Sequence, residues 1–178
     1  HSEFCDGEGR LQDMVLAALD SSISDLGFSS HAPLPFETDW NMPIERQPEY
    51  IAEIRRLQAE YSGRINLYLG AELDYIPLRA VEEFQAREVF SAGFDYFVGS
   101  VHFLGAGDAP SAFDGTEKEF RRILRDEYHN DVRAMTADYY ARVAQLVGVE
   151  NVRIIGHFDL IKRWNSTHAY FTGDESWY

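Results

Sequence analysis

The sequence predicts an α/β protein built on a parallel sheet, and three observations carry that reading. Short apolar, β-prone runs at 65–73, 95–103 and 152–155 alternate with amphipathic helical stretches, and such alternation implies crossover connections between parallel strands. The 178 residues are 45% apolar and 14% aromatic, enough to bury one sizeable core and too apolar for a disordered chain. Residues with metal-ligand chemistry also recur just after the strand-like runs. No internal repeat, heptad seam or linker interrupts the pattern, so residues 1–178 read as a single domain.

Leu11 to Leu26 reads as a helix, with Leu11, Val15, Ala18, Leu19, Ser22 and Leu26 near helical spacing and Gly27 as its C-terminal cap. Phe28 begins a short segment that closes at His31. Ala32 to Pro48 holds four of the six prolines and reads as a loop. Glu49 to Tyr61 is a second amphipathic helix, striped by Tyr50, Ile54, Leu57 and Tyr61. Ile65 to Leu73 is a strand. Pro77 suits a helix start, and Leu78 to Phe90 reads as helix. Asp95 to Phe103 is a strand, and Gly105 to Gly115 a long loop. Helices over Thr116–Glu127 and Asp131–Val147 follow, then a buried-type strand at Val152–Ile155 and a short helical segment near Leu160–Trp164.

Charge and motif content exclude several functions. Sixteen Lys and Arg against thirty Asp and Glu give a net charge of −14, so neither nucleic acid nor an anionic membrane is an expected partner. The single Cys5 excludes an intramolecular disulfide and fits a reducing cytoplasm. No Walker-type phosphate loop, GxGxxG or GxSxG elbow is present. The chain opens at His1 and ends on Trp177-Tyr178, which suggests a fragment lacking residues at both ends. Complete α/β barrels of about 250 residues are longer, in keeping with that expectation.

The ligand-type residues carry the functional signal. His31 follows Gly27-Phe28-Ser29-Ser30, and Glu72 follows Leu67-Tyr68-Leu69-Gly70-Ala71. His102 follows Phe97-Val98-Gly99-Ser100-Val101, and His157 follows Val152-Arg153-Ile154-Ile155-Gly156. The C-terminal ends of parallel strands share one face, where ligands and catalytic groups gather. His1 and Asp6 join the set because Gly7-Glu8-Gly9 leads into the first helix as a strand-to-helix loop would. Imidazole nitrogens and carboxylate oxygens are the donors of Zn, Mn and Fe sites, and a carboxylate can bridge two ions. Gly70, Gly99 and Gly156 are expected to let a ligand approach the backbone. His129 and His168 read as surface residues, and Arg55-Arg56 and Arg121-Arg122 as solvated helix faces.

The opening His1-Ser2-Glu3-Phe4-Cys5-Asp6-Gly7 resembles the second half of the first motif of the PHP superfamily, normally His-x-His-Ser. Four further runs resemble its histidinol-phosphatase branch: Ser30-His31-Ala32-Pro33-Leu34-Pro35, Gly70-Ala71-Glu72-Leu73-Asp74-Tyr75-Ile76, Gly99-Ser100-Val101-His102-Phe103-Leu104 and Gly156-His157-Phe158-Asp159-Leu160-Ile161-Lys162-Arg163. The resemblance implies an incomplete distorted (β/α)7 barrel with parallel strands and a site for up to three divalent metal ions (Zn, Mn or Fe) at its C-terminal face. Its ligands would be His1, Asp6, His31, Glu72, His102 and His157, with Glu72 bridging. The implied substrate is a small-molecule phosphate monoester, L-histidinol phosphate, hydrolysed in histidine biosynthesis. Clustered cations would neutralise its dianion and supply hydroxide near neutral pH.

Asp159 would orient His157 or carry a proton, and Lys162 and Arg163 would either bind phosphate or stand on the surface with no role in the site. Asp74 or Glu37 would meet the amine and imidazole of histidinol. The alternatives are another phosphoesterase of the same superfamily, or a fragment that binds metal or phosphate without turnover. The first His of His-x-His and the family's closing Asp-x-His have no match, so the first strand and the C-terminal part of the barrel are expected to be absent. On that expectation the 178-residue chain alone is inactive or nearly so. Its sheet edges would be open, and the aromatics Trp164, Tyr170, Phe171, Trp177 and Tyr178 would lack partners.

Overall fold

The computed structural model describes residues 1–105 and 110–178; residues 106–109 of the expected Gly105–Gly115 loop lie outside the described residues. The chain forms two compact units, the first of His1–Leu73, Arg79–Val98 and Glu150–Ile154, the second of Asp74–Leu78, Gly99–Val149 and Ile155–Tyr178. Among the described residues, no helix is long and apolar enough to cross a membrane.

The α/β class and the parallel pairing are as the sequence predicts. Strands β1 (Asp25–His31), β2 (Asn66–Asp74), β3 (Tyr96–Ser100) and β6 (Val152–Ile155) form a four-stranded sheet in the order β1-β2-β3-β6. β1 and β2 pair in parallel from Asp25 opposite Asn66 to His31 opposite Glu72. Backbone bonds from Asp95 to Leu69 and from Tyr75 to Ser100 rise together in residue number, the sense of a parallel pair. The described sheet is open, with β1 and β6 at its edges.

In the first unit, α1 (Leu11–Asp20) buries Leu11, Val15 and Ala18. It stops six residues before the expected Leu26. Ser22 takes a left-handed φ of 58°, and the Ile23 amide closes back on the Ala18 carbonyl, so the chain leaves the helix there. Leu26 fits helical spacing, but it pairs with Leu67 in the sheet. Gly27 is therefore a strand residue and not a cap. A Cβ on it would stand 2.3 Å from the Tyr96 hydroxyl, and one on Gly70 would stand 2.4 Å from the same ring. Gly70 is thus small to admit Tyr96, which corrects the expectation that it admits a ligand. Helix α2 (Gln47–Glu60) buries Tyr50, Ile54 and Leu57 as the stripe predicts. Full burial of such side chains stabilises by roughly 1.5–3 kcal/mol each. The expected helix over Leu78–Phe90 is α3 (Arg79–Phe84), which widens into a π-helical turn over Gln85–Val89 and closes as a 3-10 turn over Phe90–Ala92. β6 is not a buried-type strand: Arg153 and Ile154 are exposed, as befits an edge.

The second unit replaces part of the expected loop with a small antiparallel pair, β4 (Phe103–Leu104) against β5 (Ser111–Ala112). Helix α4 (Glu117–Asp126) starts on a threonine N-cap. The Thr116 hydroxyl accepts from the Glu119 amide and donates to the Glu119 carboxylate. In α5 (Val132–Gln145) the Asp131 carboxylate caps the Ala134 amide. These helices pack Phe120, Ile123, Met135 and Tyr139 with Phe113, Leu146 and Ile161, all fully buried. A 3-10 turn covers Leu160–Lys162. The C-terminal aromatics have partners after all. Phe171 is buried against Trp177 and Tyr178, Tyr170 stacks on Phe120, and the Tyr140 and Tyr178 hydroxyls meet at 2.8 Å.

Replacing Gly70 with Ala forces either the Tyr96 ring or the Phe28 carbonyl, 2.6 Å from the added carbon, to move. Overpacking of this kind costs about 1–3 kcal/mol. Urea unfolding of Gly70→Ala should show that loss, and the Gly70→Ala/Tyr96→Leu double variant should recover part of it.

Candidate metal centre

The register of β1 with β2 puts His31 directly opposite Glu72, and both are buried. Two tyrosines fix the strand ends that carry them. The Tyr50 hydroxyl donates to the Gly70 carbonyl at 2.8 Å and accepts from the Ser30 amide at 3.4 Å. Burial pushes its phenol above the ordinary tyrosine range, so the donor proton is kept. The Tyr96 hydroxyl donates to the Phe28 carbonyl at 2.9 Å.

The N-terminal turn is tied to β1 by a 2.8 Å bond between the Ser2 and Ser30 hydroxyls. Its tightness demands Gly7, where a Cβ would stand 2.5 Å from the Ser2 nitrogen. The turn lays the His1 ring 4.6 Å from that of His31, with His1 Nε2 3.6 Å from Glu72 Oε2. His1 Nδ1 faces Asp6 Oδ1 at 3.1 Å and Cys5 Sγ at 3.9 Å. One donor atom from each of His1, His31 and Glu72 lies within 4.8 Å of the others, and the same holds for His1, Cys5 and Asp6. Donors on one ion with bonds of about 2.0–2.3 Å are separated by roughly 3–4.5 Å, so both trios suit a divalent cation. Cys5 was given no role by sequence reasoning; the signal was its place between two candidate ligands in a turn of a few residues.

In the second unit, His102 stands two residues past β3. Its Nδ1 lies 2.5 Å from Asp74 Oδ1, and its Nε2 lies 3.1 Å from His157 Nε2. The rings meet edge-on with centroids 4.8 Å apart. Nitrogens at this spacing match adjacent ligands on one ion with bonds of about 2.0–2.1 Å. His157 is exposed, but its backbone is fixed, since its carbonyl accepts from the Tyr139 hydroxyl and from the Leu160 amide, both at 2.9 Å. Burial raises the Tyr139 phenol too, so it remains a donor.

Sequence reasoning expected Asp74 to face substrate, and the structure gives it His102 instead. Asp159 pairs with Lys162 at 3.8 Å rather than orienting His157. Lys162 also sits over the Tyr178 ring at 5.1 Å, and Arg163 stacks on Trp164 at 5.5 Å. Glu37 lines a surface hollow of about 690 Å³ formed by the loop from Leu34 to Glu45 and Phe84. His129 and His168 are exposed, as expected.

Comparison with known proteins places this geometry in a family. The chain is 35% identical over 167 residues to the "Probable histidinol-phosphatase" of Deinococcus radiodurans, covering 92% of this chain and 60% of that protein. It is 31% identical to the histidinol-phosphatase of Lactococcus lactis, covering 92% of this chain and 56% of that one. The chain therefore spans a little over half the length of these relatives. A candidate histidinol phosphatase of Listeria monocytogenes shares the fold, with a TM-score of 0.79 at 21% identity over 98% of this chain and 70% of that one. The Lactococcus lactis histidinol phosphate phosphatase, solved with Zn, L-histidinol and phosphate, superposes with a TM-score of 0.66 at 26% identity over 92% of this chain and 57% of its own. The family model described as PHP domain matches residues 1–173, so the chain belongs to the PHP domain family.

Proposed function

We propose that this chain is part of a metal-dependent phosphomonoesterase that hydrolyses L-histidinol phosphate to L-histidinol and phosphate, a step of histidine biosynthesis, and that residues 1–178 belong to its single catalytic PHP domain. The single observation that carries the reading is the set of imidazole and carboxylate donors at parallel strand ends, spaced as ligands of divalent ions are. Support for the substrate comes from the Lactococcus lactis relative, whose structure holds zinc, L-histidinol and phosphate.

His1, Asp6, His31 and Glu72 of the first unit, and His102 and His157 of the second, are the residues that would hold divalent ions, zinc, manganese or iron. Bound there, such ions supply charge neutralisation for a phosphate dianion and a water of lowered pKa. The chain's own residues do the rest. Glu72, buried opposite His31, contributes the buried negative charge of the first group and would be the carboxylate that bridges two cations. Tyr50 and Tyr139 tie down the backbone that carries His31, Glu72 and His157. Lys162 and Arg163, in the run that follows His157, are assigned to the phosphate; Asp159, paired with Lys162, is assigned to proton transfer.

Glu72→Gln keeps the side-chain shape and deletes the charge. In the full-length parent, metal uptake should fall, turnover of histidinol phosphate should drop about 10²-fold or more, and the melting temperature of the metal-free protein should hold. Normal metal content with normal turnover would refute the role of Glu72. A panel of phosphate esters assayed with added Mn, Fe or Zn checks the substrate: histidinol phosphate should lead in kcat/KM. A nucleotide or sugar phosphate leading instead would move the assignment to another phosphoesterase of the family. Metal binding with no turnover on any ester would reduce it to a binding role.

A further inference from the structure

We propose that Asp74 is a positioning residue that fixes the tautomer and ring orientation of His102, presenting Nε2 as an electron-pair donor. The inference concerns an atom pair that the proposed reaction does not itself require, although its consequence for metal affinity rests on His102 being a ligand.

The argument starts from donor and acceptor capacity. An ionised carboxylate only accepts hydrogen bonds, and a neutral imidazole carries one N–H and one lone pair. Asp74 Oδ1 lies 2.5 Å from His102 Nδ1, so the proton of that imidazole belongs on Nδ1. The lone pair is then on Nε2, the atom that faces His157 Nε2 at 3.1 Å. Both partners of the Asp74 contact are buried, at 1% and 6% exposure, where water competes little for either group.

The backbone around His102 is held as closely as its ring. The His102 carbonyl accepts from the Phe113 amide at 3.1 Å, across the β4–β5 pair. One residue on, the Phe103 carbonyl accepts from Arg142 Nη1 at 3.1 Å, and the Gly105 carbonyl accepts from Arg142 Nη2 at 2.9 Å. Arg142 is itself buried and held by Asp138, which also accepts from the Tyr128 hydroxyl. With the main chain pinned on one side and Nδ1 pinned on the other, the ring has one orientation left. Asp74 is the end residue of β2, and its neighbour Tyr75 donates its amide to the Ser100 carbonyl at 2.8 Å, so the carboxylate is placed by the strand pairing that leads to His102. A carboxylate behind a ligating histidine raises the basicity of the ring and fixes its aim, and losing it typically costs 10–100-fold in metal affinity.

The test has two arms. In the first, histidine-labelled, metal-free protein is studied by 15N NMR, which separates protonated from unprotonated ring nitrogens. His102, assigned by its loss in His102→Gln, should show the proton on Nδ1. A ring protonated on Nε2, or on both nitrogens, would overturn the proposal whatever the protein catalyses. In Asp74→Asn the amide both donates and accepts, so the preference should weaken and Nε2–H should appear. In the second arm, Zn is titrated into the wild type, Asp74→Asn and Asp74→Ser, with thermal melts of the metal-free forms as the folding control. Folded variants should bind 10–100-fold more weakly. Unchanged affinity with an unchanged tautomer would overturn the positioning role. A wild type that binds no Zn, Mn or Fe would refute the proposed function while leaving the tautomer result standing. A raised KM with unaltered metal affinity and tautomer would return Asp74 to direct contact with substrate.

Discussion

The pairing of β1 with β2 is the constraint on which the first unit depends. Seven residues of β1 meet seven of β2 in parallel register, and the last of these pairs is His31 with Glu72. Side chains alternate faces along a strand, so a slip of one residue would turn both donors to the other face and bury the wrong set. Side-chain choices on both strands hold the register. Gly27 and Gly70 leave a slot that the Tyr96 ring fills, and Tyr96 and Tyr50 each end on a carbonyl of these strands. A larger residue at either glycine, or a shift in pairing, would push the half-buried Tyr96 hydroxyl off its acceptor, the Phe28 carbonyl.

The same economy of fixed backbone and buried hydroxyl recurs in the second unit. Tyr139 lies in the aromatic core with Phe113 and directs its hydroxyl at the turn carrying His157, where it donates to one backbone group and accepts from another. Arg142 performs the corresponding task beside His102 through two carbonyls. A buried guanidinium is tolerated only when its charge is balanced, and Asp138 supplies that balance four residues earlier on the same helix. The donors that face one another are thus mounted on backbone with few alternatives, which is what a metal site needs if binding is not to be offset by ordering costs.

Much of this was legible in the sequence because it follows from periodicity and from position. The stripe Tyr50–Ile54–Leu57 is a helix face, and it is buried as the spacing requires. His31, Glu72, His102 and His157 stand at or just past strand ends, as their place after apolar runs predicts. What was illegible depended on contacts between residues distant in sequence. Helical spacing carried α1 past Asp20 because Leu26 fits it, and only pairing with Leu67 shows that Leu26 belongs to a strand. Gly70 read as room for a ligand because nothing local announces that a tyrosine 26 residues later occupies the space. The aromatic C-terminus read as unpartnered, yet Phe171, Tyr170 and Tyr178 find Trp177, Phe120 and Tyr140. Asp74 read as a substrate contact because sequence gives a carboxylate's presence without its direction.

The acidity of the chain and the chemistry of its site are consistent once the charges are sorted by what they touch. Part of the acidity is neutralised locally on the surface, where Arg56 pairs with Glu53 and Glu60, Arg10 with Asp13, and Arg121 with Glu117; such exposed, solvent-screened pairs contribute little to stability. Glu72, Asp74 and Asp6 are different: each faces an imidazole rather than a guanidinium or an ammonium. An arginine or lysine in those places would neutralise the carboxylate permanently and leave no charge to attract a cation. An imidazole does not, because it is neutral through most of the physiological range and offers a lone pair beside the carboxylate. Histidine as the partner of Glu72, Asp74 and Asp6 therefore keeps these three positions electron-rich, which a pairing such as Asp138 with Arg142 does not.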